Sequence, residues 1–160
     1  MDILEFAVEM ECEGQQYYQE LAQKTSHTGL KNILGMLADD EIKHQQAIEK
    51  IRVTSCVMAE SPALDKAKNI FRQMKEFGGV VDLFGDEEKL YRHAMDLEAK
   101  SSAFYEDRAD QVETAEQRAL FLKLAEEENK HFQVMSNLVD FVQAPKTWLA
   151  DARFERLGEY

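Results

Sequence analysis

The sequence predicts an all-α protein, a four-helix bundle with a long helical crossover between helices two and three and a short C-terminal helix. Two prolines and seven glycines in 160 residues leave room for long helices. Apolar residues recur at alternating spacings of three and four in four separate stretches. An internal repeat pairs the first two of these stretches with the last two. The expected bundle covers residues 1–142, and a tail follows at 143–160.

The first two helices are each predicted from an apolar stripe. Asp2 can cap a helix that runs to about Thr25. A loop is expected at residues 26–29, and the second helix follows it. The stripe of that second helix is apolar except at Glu41 and His44, so we expect both side chains to face the core.

A connector at residues 57–86 separates the two predicted helical pairs. It is too long for a tight turn, and a helix that begins at Pro62 would carry the chain back along the bundle. Helices two and three would then run parallel. The third helix is expected over residues 87–111. A capping box that begins at Thr114 starts the fourth helix, and Pro145 ends it.

The two halves of the bundle repeat each other in sequence. Residues 1–50 align without gaps to residues 88–137, and ten of the fifty aligned positions are identical. The identical pairs are Ala7/Ala94, Glu11/Glu98, Tyr18/Tyr105, Ala22/Ala109, Leu37/Leu124, Ala38/Ala125, Glu41/Glu128, Lys43/Lys130, His44/His131 and Gln46/Gln133. A duplicated helical hairpin of this kind builds a two-part site with one half from each copy.

Four carboxylates and two imidazoles interrupt the apolar stripes, namely Glu11, Glu41, His44, Glu98, Glu128 and His131. Residues three apart share a helix face, so each Glu-x-x-His can hold one metal ion from one side. Buried carboxylates must be paired or bound to metal, and four of them balance two divalent ions. Oxygen-rich ligation with one imidazole per metal suits iron or manganese, with zinc as an alternative.

The overall charge limits the classes of partner. The net charge is −12, from 19 basic and 31 acidic residues, and the absence of a basic stripe argues against nucleic acid and anionic membranes. No apolar run approaches the roughly 20 residues that span a bilayer. The N-terminus lacks the pattern of a signal peptide. Cys12 and Cys56 form no CxxC pair, so we expect a reduced, cytoplasmic setting.

The chain resembles the ferritin-like diiron superfamily and, within it, the rubrerythrin-like proteins. The motifs that carry the resemblance are Glu11-x6-Tyr18, Glu41-x-x-His44, Glu98-x6-Tyr105 and Glu128-x-x-His131, over residues 3 to 142, with a weaker tail motif, Pro145-x-x-Trp148-Leu149. The resemblance implies bridging by Glu41 and Glu128, a first metal completed by Glu11 and His44, a second completed by Glu98 and His131, and hydrogen bonds to ligand carboxylates from Tyr18 and Tyr105.

The resemblance also implies a function. We expect a non-haem diiron oxidoreductase that reduces hydrogen peroxide or dioxygen, and we expect a homodimer. Full rubrerythrins carry a rubredoxin domain with paired CxxC motifs, which this sequence lacks, so turnover would need an external, rubredoxin-like electron donor. The alternatives are a ferroxidase that handles iron, a metal-stabilised bundle without turnover and, more distantly, a dimanganese catalase.

Four acidic residues lie beside the stripe carboxylates on the second and fourth helices. Asp39, Asp40, Glu126 and Glu127 are expected to be mostly exposed. One from each helix could orient a ligand histidine, and the sequence leaves open which one. His93 is expected to lie away from the ligand cluster.

Overall fold

A computed structural model describes residues 2–52 and 87–143, and these residues form a helical bundle. Its helices are α1 (Ile3–Lys24), α2 (Thr28–Arg52), α3 (Glu87–Arg108) and α4 (Ala115–Gln143). No β-strand occurs in these two stretches. The predicted all-α four-helix class is therefore confirmed. The predicted crossover helix and C-terminal helix lie outside the described residues, and the domain boundaries stay predictions.

Contacts near the helix ends establish the directions of the chain. Arg52, at the end of α2, lies 3.5 Å from Glu5, near the start of α1, so these helices are antiparallel. The hydroxyl of Tyr17, in the second half of α1, donates to the carbonyl of Leu90, in the first turn of α3. α1 and α3 are therefore antiparallel as well. It follows that α2 and α3 run in the same direction, as the sequence predicts for a long crossover.

Side-chain caps fix where two helices begin. The carboxylate of Asp2 accepts a hydrogen bond from the amide of Glu5 at 2.7 Å. At α4 the amide of Gln117 donates to the hydroxyl oxygen of Thr114 at 3.1 Å. The side-chain oxygen of Gln117 accepts in return from the amide of Glu113 at 2.8 Å. The capping box predicted at Thr114 is thus confirmed, and it fixes the start of α4.

The first loop is shorter than predicted. α2 begins at Thr28, and the amide of Lys31 donates to the carbonyl of His27 at 2.9 Å. Gly29, which the sequence places in the loop, lies in the first turn of the helix. The sequence pattern places Gly29 in the loop because glycine often marks loops, but glycine also occurs in the first turn of a helix.

The third helix is also shorter than predicted. It ends at Arg108 rather than at residue 111. The amide of Gln111 donates to the carbonyl of Arg108 at 2.9 Å, which closes a turn in place of another helical residue. The polar sequence around this end does not mark the stop, because no glycine or proline occurs there.

Apolar layers enclose the polar stripe positions from both ends. On α2 the side chain of Leu37 precedes the polar pair and Ile48 follows it, and both are buried. On α4 Leu124 and Met135 occupy the corresponding places and are buried as well. The polar residues therefore form a middle layer of one continuous apolar core.

The outward faces of the described helices are polar. Ion pairs such as Arg92–Glu88 and Lys100–Asp96, each at 2.8 Å, lie along them. Within residues 2–52 and 87–143, every helix falls short of the length and apolar character that crossing a bilayer demands.

Candidate metal centre

Helices α1 and α3 each contribute one buried carboxylate to the middle of the core. Glu11 lies on α1 between Ala7 and Gly14 of its stripe, and Glu98 holds the corresponding place on α3. Both carboxylates are almost fully buried. The small neighbours on α1 leave room beside Glu11: a Cβ atom added at Gly14 would lie 3.4 Å from Cδ of Glu41.

Helices α2 and α4 each contribute a carboxylate and an imidazole one turn apart. Glu41 and His44 point inward from α2, and Glu128 and His131 point inward from α4. The spacing of three places both side chains of a pair on the same helix face. All four are buried, so the sequence-based expectation that they face the core is met.

The first half-site forms around His44. Its Nδ1 atom lies 3.1 Å from Oε2 of Glu11, 3.1 Å from Oε1 of Glu128 and 3.5 Å from Oε2 of Glu41. We refer to Glu11, His44 and the nearer oxygens of Glu41 and Glu128 as the first half-site. Its possible ligand atoms all lie within 4.8 Å of one another.

The second half-site forms around His131. Its Nδ1 atom lies 3.1 Å from Oε1 of Glu41, 3.6 Å from Oε1 of Glu98 and 3.9 Å from Oε2 of Glu128. These four residues are the second half-site, and their possible ligand atoms also lie within 4.8 Å of one another.

Two carboxylates belong to both half-sites, and each divides its oxygens between them. Glu41 turns Oε2 toward His44 and Oε1 toward His131. Glu128 turns Oε1 toward His44 and Oε2 toward His131. The two imidazole rings stack with centroids 5.4 Å apart and an interplanar angle of 19°. Glu41 and Glu128 thus each place one oxygen in each half-site.

Two tyrosines cross between α1 and α3 to reach the carboxylates. The hydroxyl of Tyr18 on α1 donates to Oε1 of Glu98 on α3. The hydroxyl of Tyr105 on α3 donates to Oε1 of Glu11 on α1. Burial raises the pKa of both phenols well above the ordinary value, and the nearby carboxylate charges raise it further. Both phenols therefore stay protonated and act as donors.

Burial and mutual repulsion divide the carboxylates into two kinds. Burial raises the pKa of Glu11 and of Glu128 well above the usual range, and the charge of Glu41 raises both further. Burial acts in the same direction on Glu41, but its contacts with Glu11 and with the two histidines outweigh burial and hold its pKa well below the usual range. In the metal-free cluster, protons thus offset part of the negative charge.

The two histidines take up protons in the metal-free cluster. Burial lowers the pKa of His44, but the adjoining carboxylates of Glu11, Glu128 and Glu41 outweigh it and raise the pKa to about 12. Burial also lowers the pKa of His131, and the charge of Glu98 with the other carboxylates raises it well above the ordinary value. A metal ion bound by these imidazoles would displace the protons, because histidine binds metal in its neutral form.

Two buried atoms of the cluster make no hydrogen bond within the described residues. They are Oε1 of Glu128 and Nδ1 of His131. Oε1 of Glu128 lies near an imidazole nitrogen, and Nδ1 of His131 lies near a carboxylate oxygen, each within 4 Å. Neither pair is aligned for hydrogen bonding. Atoms directed at a shared space rather than at one another are what a metal-ligand shell requires. Together with its oxygen-rich donors and one imidazole per half-site, the cluster fits a dimetal site.

Asp40 is an outer contact of the cluster that the sequence did not single out from its neighbours. Its Oδ2 atom lies 3.4 Å from Nε2 of His131, on the side of the ring away from the cluster. Lys43 donates to the other oxygen of Asp40 at 2.8 Å. The contact joins α2 to α4, and a prediction of it requires the packing of these two helices. His93 lies outside both half-sites, as expected.

A small cavity of about 20 Å³ adjoins the cluster on the side of α1 and α3. The residues that line it are Met10, Glu11, Gly14, Tyr17, Tyr18, Glu41, Ala94, Leu97, Glu98, Ser101 and Glu128. Neither histidine lines it, because both imidazoles lie on the side of α2 and α4. The hydroxyl of Ser101 donates to the sulfur of Met10 across this cavity at 3.7 Å.

The structure brings together all eight residues singled out from the sequence, six in the cluster and two tyrosines bonded to it. The ligand roles of the six cluster residues stay a prediction. Comparisons with curated proteins and with solved structures gave no match. The sequence model of the rubrerythrin family matches residues 2–139, which include every residue of the cluster. The chain therefore belongs to the rubrerythrin family.

Proposed function

We propose that this chain is a non-haem diiron oxidoreductase that reduces hydrogen peroxide, or alternatively dioxygen, with electrons from an external donor. The observation that carries the proposal is the pair of half-sites that share Glu41 and Glu128. Iron is the proposed metal because each half-site offers several carboxylate oxygens and one imidazole. Manganese and zinc are the alternatives that the same donors accept.

The proposed ligands follow the half-sites. Glu11 and His44 would complete the ligands of one ion, and Glu98 and His131 those of the other, with Glu41 and Glu128 between them. Two Fe(II) ions held in this way would supply one electron each for the reduction of a peroxide or of dioxygen.

The cavity beside α1 and α3 supports access by a small oxidant. Its walls combine the apolar side chains of Met10 and Leu97 with the small residues Gly14, Ala94 and Ser101. A space of about this size accepts a molecule comparable to water. The two stacked imidazole rings lie on the other side of the cluster and do not line the cavity.

The tyrosines hold hydrogen-bond donors beside the proposed ligands. Tyr18 holds a proton one hydrogen bond from Glu98, and Tyr105 holds one the same distance from Glu11. These hydrogen bonds also fix the orientation of each carboxylate, which is how outer partners tune a metal site.

The experiment is anaerobic loading of the protein with Fe(II), followed by separate mixing with hydrogen peroxide and with dioxygen. We expect oxidation of the bound iron within seconds, with peroxide faster than dioxygen. Glu128→Gln should abolish the fast phase, whereas Glu126→Gln, an exposed neighbour two positions away, should retain it. Iron that stays reduced in the unmodified protein would refute a redox function.

Iron handling is a second candidate, favoured by the net charge of −12, which concentrates cations around the protein. A ferroxidase that feeds an internal mineral store needs a large hollow assembly. Measurement of the molar mass in solution separates the two candidates. A monomer or the expected homodimer would exclude storage inside the assembly, whereas a shell of many subunits would favour it.

A further inference from the structure

We infer that the two half-sites bind metal with unequal affinity, and that Asp40 makes the second half-site, which contains Glu98 and His131, the tighter of the two. The inference rests on the proposed dimetal centre. It adds a positioning residue and an order of loading to that centre.

The first observation is the outer contact of His131. Nδ1 of this ring faces the cluster, while Nε2 faces Oδ2 of Asp40 at 3.4 Å. The ammonium group of Lys43 holds the other oxygen of Asp40 at 2.8 Å. The carboxylate is therefore fixed between a surface lysine and the buried imidazole.

The second observation is that the repeat does not reproduce this contact. At the shift of 87, Asp40 corresponds to Glu127, Lys43 to Lys130 and His131 to His44. Glu127 does pair with Lys130, at 2.6 Å. Among residues 2–52 and 87–143, however, every carboxylate contact of His44 is made by its Nδ1 atom, and none is made at Nε2. The longer side chain of Glu127 pairs with its lysine without reaching the ring.

The histidine that lacks the outer carboxylate contact, His44, is also the more exposed of the two. The side chain of His44 is 9% exposed and that of His131 is 3% exposed. The outer edge of His44 thus lies nearer to solvent, where water competes for its proton. The outer edge of His131 is covered and has a carboxylate acceptor.

A carboxylate on the outer nitrogen strengthens a histidine ligand in two ways. It keeps the proton on Nε2, so that the lone pair of Nδ1 faces the metal, and it makes the imidazole a better electron donor. His131 has this support from Asp40, whereas His44 must select its tautomer and orientation when the metal binds. Glu41 and Glu128 each place one oxygen in both half-sites, so the carboxylate contact at Nε2 of His131 distinguishes the half-sites and favours the second one for the first ion.

The test is a titration of the metal-free protein with Co(II), followed by its visible absorption and by equilibrium dialysis. We expect two bound ions whose dissociation constants differ by about tenfold or more. Asp40→Asn should weaken the tighter site by about 10- to 100-fold. Glu127→Gln removes the same charge at the equivalent position of the repeat and should leave both constants within about twofold of the unmodified protein.

Two ligand variants assign the constants to the half-sites. His44→Ala should keep one ion with the tighter constant, and His131→Ala should keep one ion with the weaker constant. Helix content measured by circular dichroism checks that each variant is folded. Equal constants in the unmodified protein, or equal losses in Asp40→Asn and Glu127→Gln, would overturn this inference alone. Fewer than two bound ions in the unmodified protein would overturn the proposed centre as well.

Discussion

The hydroxyl of Tyr18 on α1 donates a hydrogen bond to Glu98 on α3, although the nearest cluster carboxylate in the sequence is Glu11. Tyr18 lies seven positions after Glu11, a rise of about 10 Å along the helix, which a phenol does not span along its own helix. Because α1 and α3 are antiparallel, each tyrosine instead lies opposite the carboxylate of the other helix. These hydrogen bonds link α1 to α3 beside the two half-sites.

Removal of the Tyr18 hydroxyl should weaken metal binding without emptying the site. Tyr18→Phe leaves Glu98 without its donor, and we expect the affinity for Co(II) or Fe(II) to fall by about 10- to 100-fold. Tyr17→Phe is the matched control, since its hydroxyl donates to the carbonyl of Leu90 rather than to the cluster. That variant should lose about 1 kcal/mol of stability and keep its metal affinity. Equal affinities in the two variants would contradict a role for Tyr18 at the centre.

The bridging role assigned to Glu128 predicts a change in metal stoichiometry. Glu128→Gln replaces one carboxylate oxygen by an amide NH2 group and leaves the other as a neutral carbonyl, so one half-site loses a donor and the other a charge. We therefore expect at most one tightly bound ion per chain, compared with two in the unmodified protein. Glu126→Gln, on the exposed face of the same helix turn, should still bind two. Elemental analysis after dialysis measures both. Two tightly bound ions in Glu128→Gln would contradict the bridging assignment.

The metal-free protein should lose stability as the pH rises from neutral. The pKa of His44 is raised from 6.5 to about 12, so its proton is held more firmly in the folded state than in the unfolded state. Its contribution is complete below about pH 6.5 and declines as the pH rises toward 12. The raised pKa values of Glu11 and Glu128 act in the same direction. Urea unfolding in the presence of a chelator should give a lower midpoint at about pH 9 than at about pH 6.5.

Metal binding should reverse this dependence on pH. Because neutral imidazole is the proposed ligand, binding releases protons and the affinity increases as the pH rises.

His44→Gln should flatten the decline of stability in the metal-free protein, whereas His27→Gln, in the loop before α2, should retain it. If the stability of the metal-free protein rose with pH, the conclusion that the metal-free cluster holds extra protons would be wrong.

Two glycines, one on α1 and one on α2, allow effects on folding stability to be separated from effects on the access of peroxide to the bound iron. Gly35 faces open space, so Gly35→Ala should stabilise the protein by about 1 kcal/mol and leave oxidation of bound iron unchanged. Gly14→Ala should give a similar gain in stability, because its Cβ would meet Glu41 at an ordinary contact distance of 3.4 Å. That methyl group narrows the cavity, so peroxide should oxidise the bound iron more slowly. Equal rates in the two variants would show that the cavity is not the route.

The stripe positions could be predicted from the sequence because burial itself constrains them. A carboxylate or imidazole within a run of leucines, such as Glu41 and His44 on α2, must find a partner in the core. The internal repeat then identifies Glu128 and His131 as the equivalent pair on α4. Each of these inferences uses spacing along one helix, which the sequence contains directly.

The outer contacts could not be predicted because they depend on how the helices pack. Asp39 and Asp40 precede Glu41 in similar surroundings, yet Asp40 is the one that reaches His131 on α4. Glu127 occupies the equivalent position in the repeat and does not reach His44. A difference of one methylene group and of a fraction of a turn decides such contacts, and a pattern of residue types does not record it.

The proposed diiron centre is tested most directly by a titration of the anaerobic, Fe(II)-loaded protein with hydrogen peroxide. The quantity measured is the end point. Two electrons reduce one molecule of hydrogen peroxide to water, so a diiron centre should be fully oxidised by one molecule of peroxide for every two bound ions. Absorption in the near ultraviolet follows the oxidation. An end point at this ratio, with two ions bound per chain, is the result that the account predicts. Bound iron that peroxide leaves reduced, or fewer than two ions bound per chain, would contradict it.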